Sequence, residues 1–176
     1  MNIPELERIM GEVQSTLSQV PVDAAERIIL KIQTHPRVFC FAAGRSGLMM
    51  RAFAMRLAQM GKTVYVVGET VTPAIGPEDL LVLASASGET KSVLLYAEEA
   101  KKAGAELLII TARAASSLCA LSPADVCLPA PTKDETGGGQ LMGSLFEQSL
   151  FLFLDGVILR LSASCQELRK RHANLE

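Results

Sequence analysis

The chain has 176 residues, a formal net charge of −2, 49% hydrophobic residues and only 5% aromatic ones. That length suits one core, and a slightly negative charge with no dense basic run gives no electrostatic footprint for nucleic acid. The hydrophobic fraction exceeds what one small core needs, so helix faces are expected to be buried against other copies of the chain.

The opening MNIPELERIMGEV carries acids early and no apolar stretch of signal-peptide length, so it reads as the start of a helix rather than a secretion signal. Residues 4–20 and 22–34 are expected to form two helices, an amphipathic hairpin. Leu6, Ile9, Met10, Val13 and Leu17 recur at helical spacing, and Pro21 separates the pair. From Arg37 the texture changes to short apolar runs, each ending in a turn: VFCFAAG, TVYVVGE, DLLVLAS, ELLIITA and DVCLPA. These predict five strands. Between them, helices are expected at 48–60 and 88–103, closed by Gly61 and Gly104 as left-handed caps, and a shorter one near 116–121. The segment 79–84 follows 63–67 through a loop with no helix.

Strands apolar on both faces and alternating with helices predict an α/β fold, a three-layer, doubly wound, five-stranded parallel sheet of flavodoxin-like type. After the fifth strand, PAPTKDETGGG is a turn-rich link into a long apolar helix, 141–163, followed by a charged tail. The stretch 145–161 is interrupted by Glu147, Gln148, Asp155 and Arg160, so it lacks the ~20 apolar residues of a membrane span. One domain is expected over 1–176: N-terminal helices 1–36, an α/β core 37–163 and a C-terminal tail 164–176. Cys40, Cys119, Cys127 and Cys165 show no Cys-x-x-Cys spacing, and three lie in or beside apolar segments, which fits reduced thiols in a cytoplasmic protein.

In such a sheet, ligands bind at the carboxyl ends of the strands, near the switch point of strand order. Two ends stand out. Gly44, Arg45 and Ser46 follow the first strand, and Ser85, Ser87 and Thr90 follow the third. Each places hydroxyls and a glycine where a helix begins, so free N–H groups and the positive end of a helix dipole converge there. One such turn alone would read as helix capping; two adjacent turns read as a seat for phosphate. There is no three-glycine dinucleotide spacing and no Gly-Lys-Ser/Thr ending, so a phosphorylated small molecule fits better than NAD or ATP.

Glu147 opens a helix that is apolar on nearly every face. Two readings are open: a first-turn acid complementing the helix dipole, or a carboxylate whose burial raises its pKa and suits it to exchange protons with a substrate. His35 reads as structural, and His172, in the tail, as a solvated helix end on composition alone. Arg45, Arg51, Arg56 and Lys91 flank the proposed pocket, and Asp155 reads as a helix anchor. No Cys/His/Asp/Glu cluster has metal-ligand spacing, so no metal is expected.

The motifs GRSGL at 44–48, AFAMRL at 52–57, VVGETVTPAI at 66–75, SASGET at 85–90 and GSLFEQ at 143–148, with the closing RHANLE, together resemble the 6-phospho-3-hexuloisomerases. These are sugar isomerase (SIS) domain enzymes of the ribulose monophosphate pathway. The resemblance covers nearly the whole chain from about residue 37. It implies interconversion of D-arabino-3-hexulose 6-phosphate and fructose 6-phosphate without metal or cofactor, in a homotetramer. It further implies that hydroxyls matching Ser46, Ser85, Ser87 and Thr90 hold the phosphate, while a glutamate matching Glu147 moves the proton. His172 from a neighbouring subunit is a second candidate participant. The chain departs from the family at Ala86, where relatives carry Gly or Gln, and at Gln59, where many carry His. Rival readings are another SIS sugar phosphate isomerase and a non-catalytic sugar-phosphate-binding protein. For a regulator with a helix-turn-helix domain, the first 36 residues are too short and too acidic.

Overall fold

A computed structural model describes residues 3–135, 139–161, 168–169, 171–172 and 174. The elements run α1 (Pro4–Leu17), α2 (Ala24–Thr34), β1 (Arg37–Ala42), α3 (Gly44–Gln59), β2 (Thr63–Val66), β3 (Asp79–Ser85), α4 (Lys91–Lys102), β4 (Glu106–Thr111), α5 (Ser117–Leu121), β5 (Val126–Cys127) and α6 (Ser144–Leu161). The five strands form one sheet of order β2-β1-β3-β4-β5, and every neighbouring pair is parallel.

The period-2 alternation of side chains sorts the strands onto two faces. Val38, Cys40, Leu80, Val82, Leu108 and Ile110 point to one face, where α2, α3 and α6 cover them. Phe39, Leu81, Leu83, Leu107 and Ile109 point to the other, beneath α4 and α5. Every residue of β3 is buried, as a central strand covered on both faces must be.

The element boundaries differ from the sequence expectation where side chains and turns intervene. Helix α3 starts four residues early because the Gly47 N–H already donates to Ala43 O (3.3 Å), closing the first helical turn across the glycine-rich stretch. Helix α4 starts three residues late. The Ser85 hydroxyl accepts from the Gly88 N–H (3.1 Å) and the Ser87 hydroxyl from the Glu89 N–H (3.2 Å), and these bonds hold 86–90 as a loop. Helix α6 starts at Ser144 rather than 141, because Met142 (φ 55°) and Gly143 (φ 78°) form a left-handed turn ahead of it. Residues 162 and 163 lie outside the described residues, as does Cys165. The N-terminal pair pack chiefly on α6 and not on each other, because α6 offers both of them its apolar surface.

At the amino edge of the sheet, Asp79 is 1% exposed and accepts from Arg37 Nε (2.7 Å), Arg37 Nη2 (2.6 Å) and the Gly76 N–H (2.6 Å). This fork ties β1 to β3 at the end opposite the switch point. Asp79→Ala is expected to lower unfolding free energy in urea by about 2–3 kcal/mol. The partial exposure of Arg37 keeps the loss below the ~3–5 kcal/mol of a fully buried pair. An unchanged urea midpoint would show that the fork contributes nothing net.

Candidate active site

Strand β1 leads into α3 on one face and β3 into α4 on the other, so the crevice between their carboxyl ends is the switch point of the sheet. Two close packings shape it. Gly44 takes φ +59°, a left-handed conformation that a side chain disfavours. A Cβ added at Gly47 would lie 2.6 Å from Ala42 O, so only glycine lets α3 start this near the end of β1. Neither helix is closed by its own cap side chain. Ala43 has none to offer α3, and Thr90 makes no cap bond to α4. The first N–H groups of both helices therefore stay available to an anion.

A cavity of about 260 Å³ fills the crevice, and Gly44, Arg45, Ser46, Ser85, Ser87, Thr90 and Glu147 all line it. Six of these lie on the two turns singled out in the sequence, and the seventh reaches them from the first turn of α6. Ser85 is 4% exposed, and its hydroxyl also contacts Thr90 Oγ1 (3.0 Å), so this pair braces the loop from within. Ser87 is not the cap of α4; its side chain remains at the cavity wall. The carbonyl of Ala86 accepts from the Ala112 N–H (3.1 Å) and from Thr111 Oγ1 (3.4 Å), fixing the loop to the end of β4.

Glu147 has 12% of its side-chain surface exposed, and Arg45 Nε lies 3.1 Å from its Oε2. The contact is ionic but poorly directed, for Oε2 is a buried oxygen without a hydrogen bond. Arg45 also donates from Nη1 to Ser144 Oγ (2.9 Å), so one guanidinium ties the first turn of α3 to that of α6. Burial raises the Glu147 pKa above the ordinary 4.5, and the Arg45 charge opposes that rise without cancelling it.

Other candidates lie elsewhere. Arg51 pairs with Glu69, and Arg56 donates to Gln59 Oε1 (2.8 Å) at the far end of α3. Neither they nor Lys91 line the cavity. For Arg51 and Arg56 the reason is helical geometry: only the first turn of α3 faces the crevice, and each later turn carries its side chains 5.4 Å further from it. Gln59 is buried at that same far end. His35 contacts Lys31 O (2.8 Å) and Glu106 Oε2 (3.2 Å) at the amino edge, a structural position. His172 is exposed and follows Arg171, whose guanidinium lies against Gly61, at the opposite end of the sheet from the cavity of the same chain. Among the described residues, no group of three or more His, Cys, Asp or Glu could hold a metal ion, and no helix is long and apolar enough to cross a membrane.

Sequence reasoning passed over Thr132 and Lys133, which line the cavity together with Met142 and Gly143. The carboxyl-end rule that picked out the turns after β1 and β3 applies equally to the turn after β5. That turn was hidden inside a stretch that reads as a flexible link.

Residues 31–154 match the SIS domain family. A 3-hexulose-6-phosphate isomerase of Mycobacterium gastri is 43% identical over 97% of this chain and 89% of its own length. One of Bacillus subtilis is 36% identical over 96% and 95%. A solved structure from Methanococcus jannaschii, from which the molecular function of a 3-hexulose-6-phosphate isomerase was inferred, superposes with a TM-score of 0.84. It is 32% identical and covers 99% of this chain and all of its own.

The Arg45–Glu147 contact makes a prediction about titration. The positive charge of Arg45 holds the Glu147 pKa below what burial alone would set, so Arg45→Met is expected to move it further upward. Carboxyl-carbon NMR of Glu147 across pH reads this directly; a downward or absent shift would mean that Arg45 does not act on the carboxylate.

Proposed function

Because the chain belongs to the SIS domain family, we propose that it is a sugar phosphate isomerase interconverting D-arabino-3-hexulose 6-phosphate and fructose 6-phosphate, a step of the ribulose monophosphate pathway. The observation that carries this reading is the meeting, in one cavity, of a phosphate seat and a buried carboxylate. Its long kinship with proteins named for that activity supports the same substrate over the other sugar phosphates that SIS domains take. That kinship favours an isomerase over a non-catalytic binding protein.

In this reading Gly44, Ser46, Ser87 and Thr90 hold the phosphate through hydroxyls and the first N–H groups of α3 and α4. Ser85 shapes the loop and adds its hydroxyl from below. A 3-ketose phosphorylated on O6 cannot close a five-membered ring through that oxygen, so the hexulose enters in open form. The Glu147 carboxylate removes the proton from C2. The electron pair forms the C2–C3 double bond as the C3 carbonyl oxygen takes up a proton, giving the 2,3-enediol. Glu147 then returns its proton to C3 while O2 loses its own, leaving the C2 ketone of fructose 6-phosphate. The Arg45 charge opposes the rise that burial causes and so favours the ionised carboxylate that the first step uses.

We also infer a cytoplasmic homotetramer. What supports assembly is an apolar groove of about 810 Å³ between α1 and α6, lined by Ile9, Met10, Val13, Leu17, Phe151 and Leu152 among others, where another copy would bury it. Arg45 and Glu147 line this groove as well as the small cavity. A second copy seated there would cover one mouth of the site, and through such a copy His172 could reach it.

In an assay coupling fructose 6-phosphate formation to enzymatically generated hexulose 6-phosphate, wild type is expected to turn over. Glu147→Gln is expected to lose about 10²–10⁴-fold in kcat, the usual contribution of a general base. No wild-type turnover would overturn the activity, and full activity in the variant would overturn Glu147 as the base. Ser87→Ala is expected to raise KM more than it lowers kcat, since it removes binding common to ground and transition states; an unchanged KM would leave Ser87 only its bond to Glu89.

A further inference from the structure

We propose that Lys133 supplies the counter-charge to the substrate phosphate and that an Arg113–Glu135 latch holds it in place; this rests on the sugar phosphate reading above. Two cations line the small cavity, Arg45 and Lys133. Arg45 is committed: its Nε faces Glu147 and its Nη1 donates to Ser144. The exposed Lys133 ammonium has no hydrogen-bond or ion-pair partner among the described residues, and Lys133 lines the same cavity as the two helix starts. A phosphate held only by hydroxyls and main-chain N–H groups would keep most of its double negative charge. An unpaired lysine lining a cavity of about 260 Å³ is the group available to balance it.

The loop that carries Lys133 is anchored on both sides. The Glu135 carboxylate accepts from the Thr132 N–H (2.7 Å), closing a turn around Lys133, and it also takes a bond from Arg113 Nη2. Arg113 in turn donates through Nη1 to Ala112 O (2.9 Å) and Ala130 O (3.2 Å), the chain just beyond β4 and β5. One guanidinium therefore stitches two strand ends to the lysine loop. The Thr132 N–H, followed by Arg113, holds the Glu135 carboxyl below the usual carboxylate range, so the latch stays charged under neutral and mildly acidic conditions. Thr16 Oγ1 donates to Pro129 O (3.1 Å) and fixes the same segment from α1. Lys133 is thus an exposed side chain on a backbone that is not free to wander, which lowers the entropy lost when it meets an anion.

The test is binding of inorganic phosphate, followed by calorimetry, alongside steady-state kinetics on the full chain. Lys133→Met is expected to weaken phosphate binding about tenfold and to raise KM similarly with kcat little changed. Lys133→Arg is expected to restore most of both. Glu135→Gln, which keeps Lys133 but loosens its turn, is expected to fall between wild type and Lys133→Met. Unchanged phosphate affinity in Lys133→Met overturns the proposal. So does a fall in kcat at constant KM, which would place the ammonium at the reacting carbons instead. If phosphate affinity drops in Lys133→Met but the wild type shows no isomerase turnover, the anion role stands and the activity reading fails. Wild-type affinity in Glu135→Gln overturns the latch.

Discussion

Two helices begin at the carboxyl ends of adjacent strands, and neither is closed by a side chain of its own cap residue. This constraint organises the rest of the molecule. The order β2-β1-β3-β4-β5 sends the chain to opposite faces after β1 and after β3, so α3 and α4 diverge and leave a crevice where their first N–H groups converge. Unbonded N–H groups at a dry helix end are costly. Here they face a cavity, where water or an anion can satisfy them. Gly47 is the steric counterpart: any side chain would push α3 off the end of β1 and open the crevice.

The second determinant is the helix that crosses this crevice. Helix α6 buries Phe146, Leu150, Leu154 and Val157 against the sheet, and this fixes the rotation of its first turn. Glu147 follows Phe146 directly, so the packing that seats the ring also sets the carboxylate at the edge of the cavity. Its pKa is then decided by two opposed effects: burial, which is larger, and the Arg45 charge, which is smaller. A carboxylate whose pKa is raised above that of an ordinary glutamate binds a proton from carbon more firmly than a fully solvated one would.

Much of this was legible in the sequence because it depends on local patterns. The apolar runs fixed the five strands, and the hydroxyls at 85–90 with the glycines at 44 and 47 marked the two turns. What could not be read were relationships that exist only across the fold. Ser85 and Thr90 bond to each other, a matter of loop geometry. Arg45 reaches Ser144, 99 positions away. Arg51 and Arg56 looked like pocket residues because they follow GRSG closely, but a helix carries them away from the crevice at 1.5 Å per residue. Lys133 was missed for the opposite reason. Composition marked its segment as a link, whereas Glu135 and Arg113, from the end of another strand, order it.

The same geometry joins the base to the apolar surface. Arg45 and Glu147 line both the small cavity and the α1–α6 groove, so the solvation of the carboxylate depends on what fills that groove. With the groove open, water reaches the exposed Arg45 side of the contact and screens it. With a second copy seated there, as proposed above, both effects on Glu147 grow together. Its desolvation increases, and so does the strength of its contact with Arg45 in the lowered local dielectric. Because the two effects oppose each other, assembly would change the base less than its increased desolvation alone would. In such an arrangement a protein can bury its proton acceptor at an interface without stranding it in the neutral form.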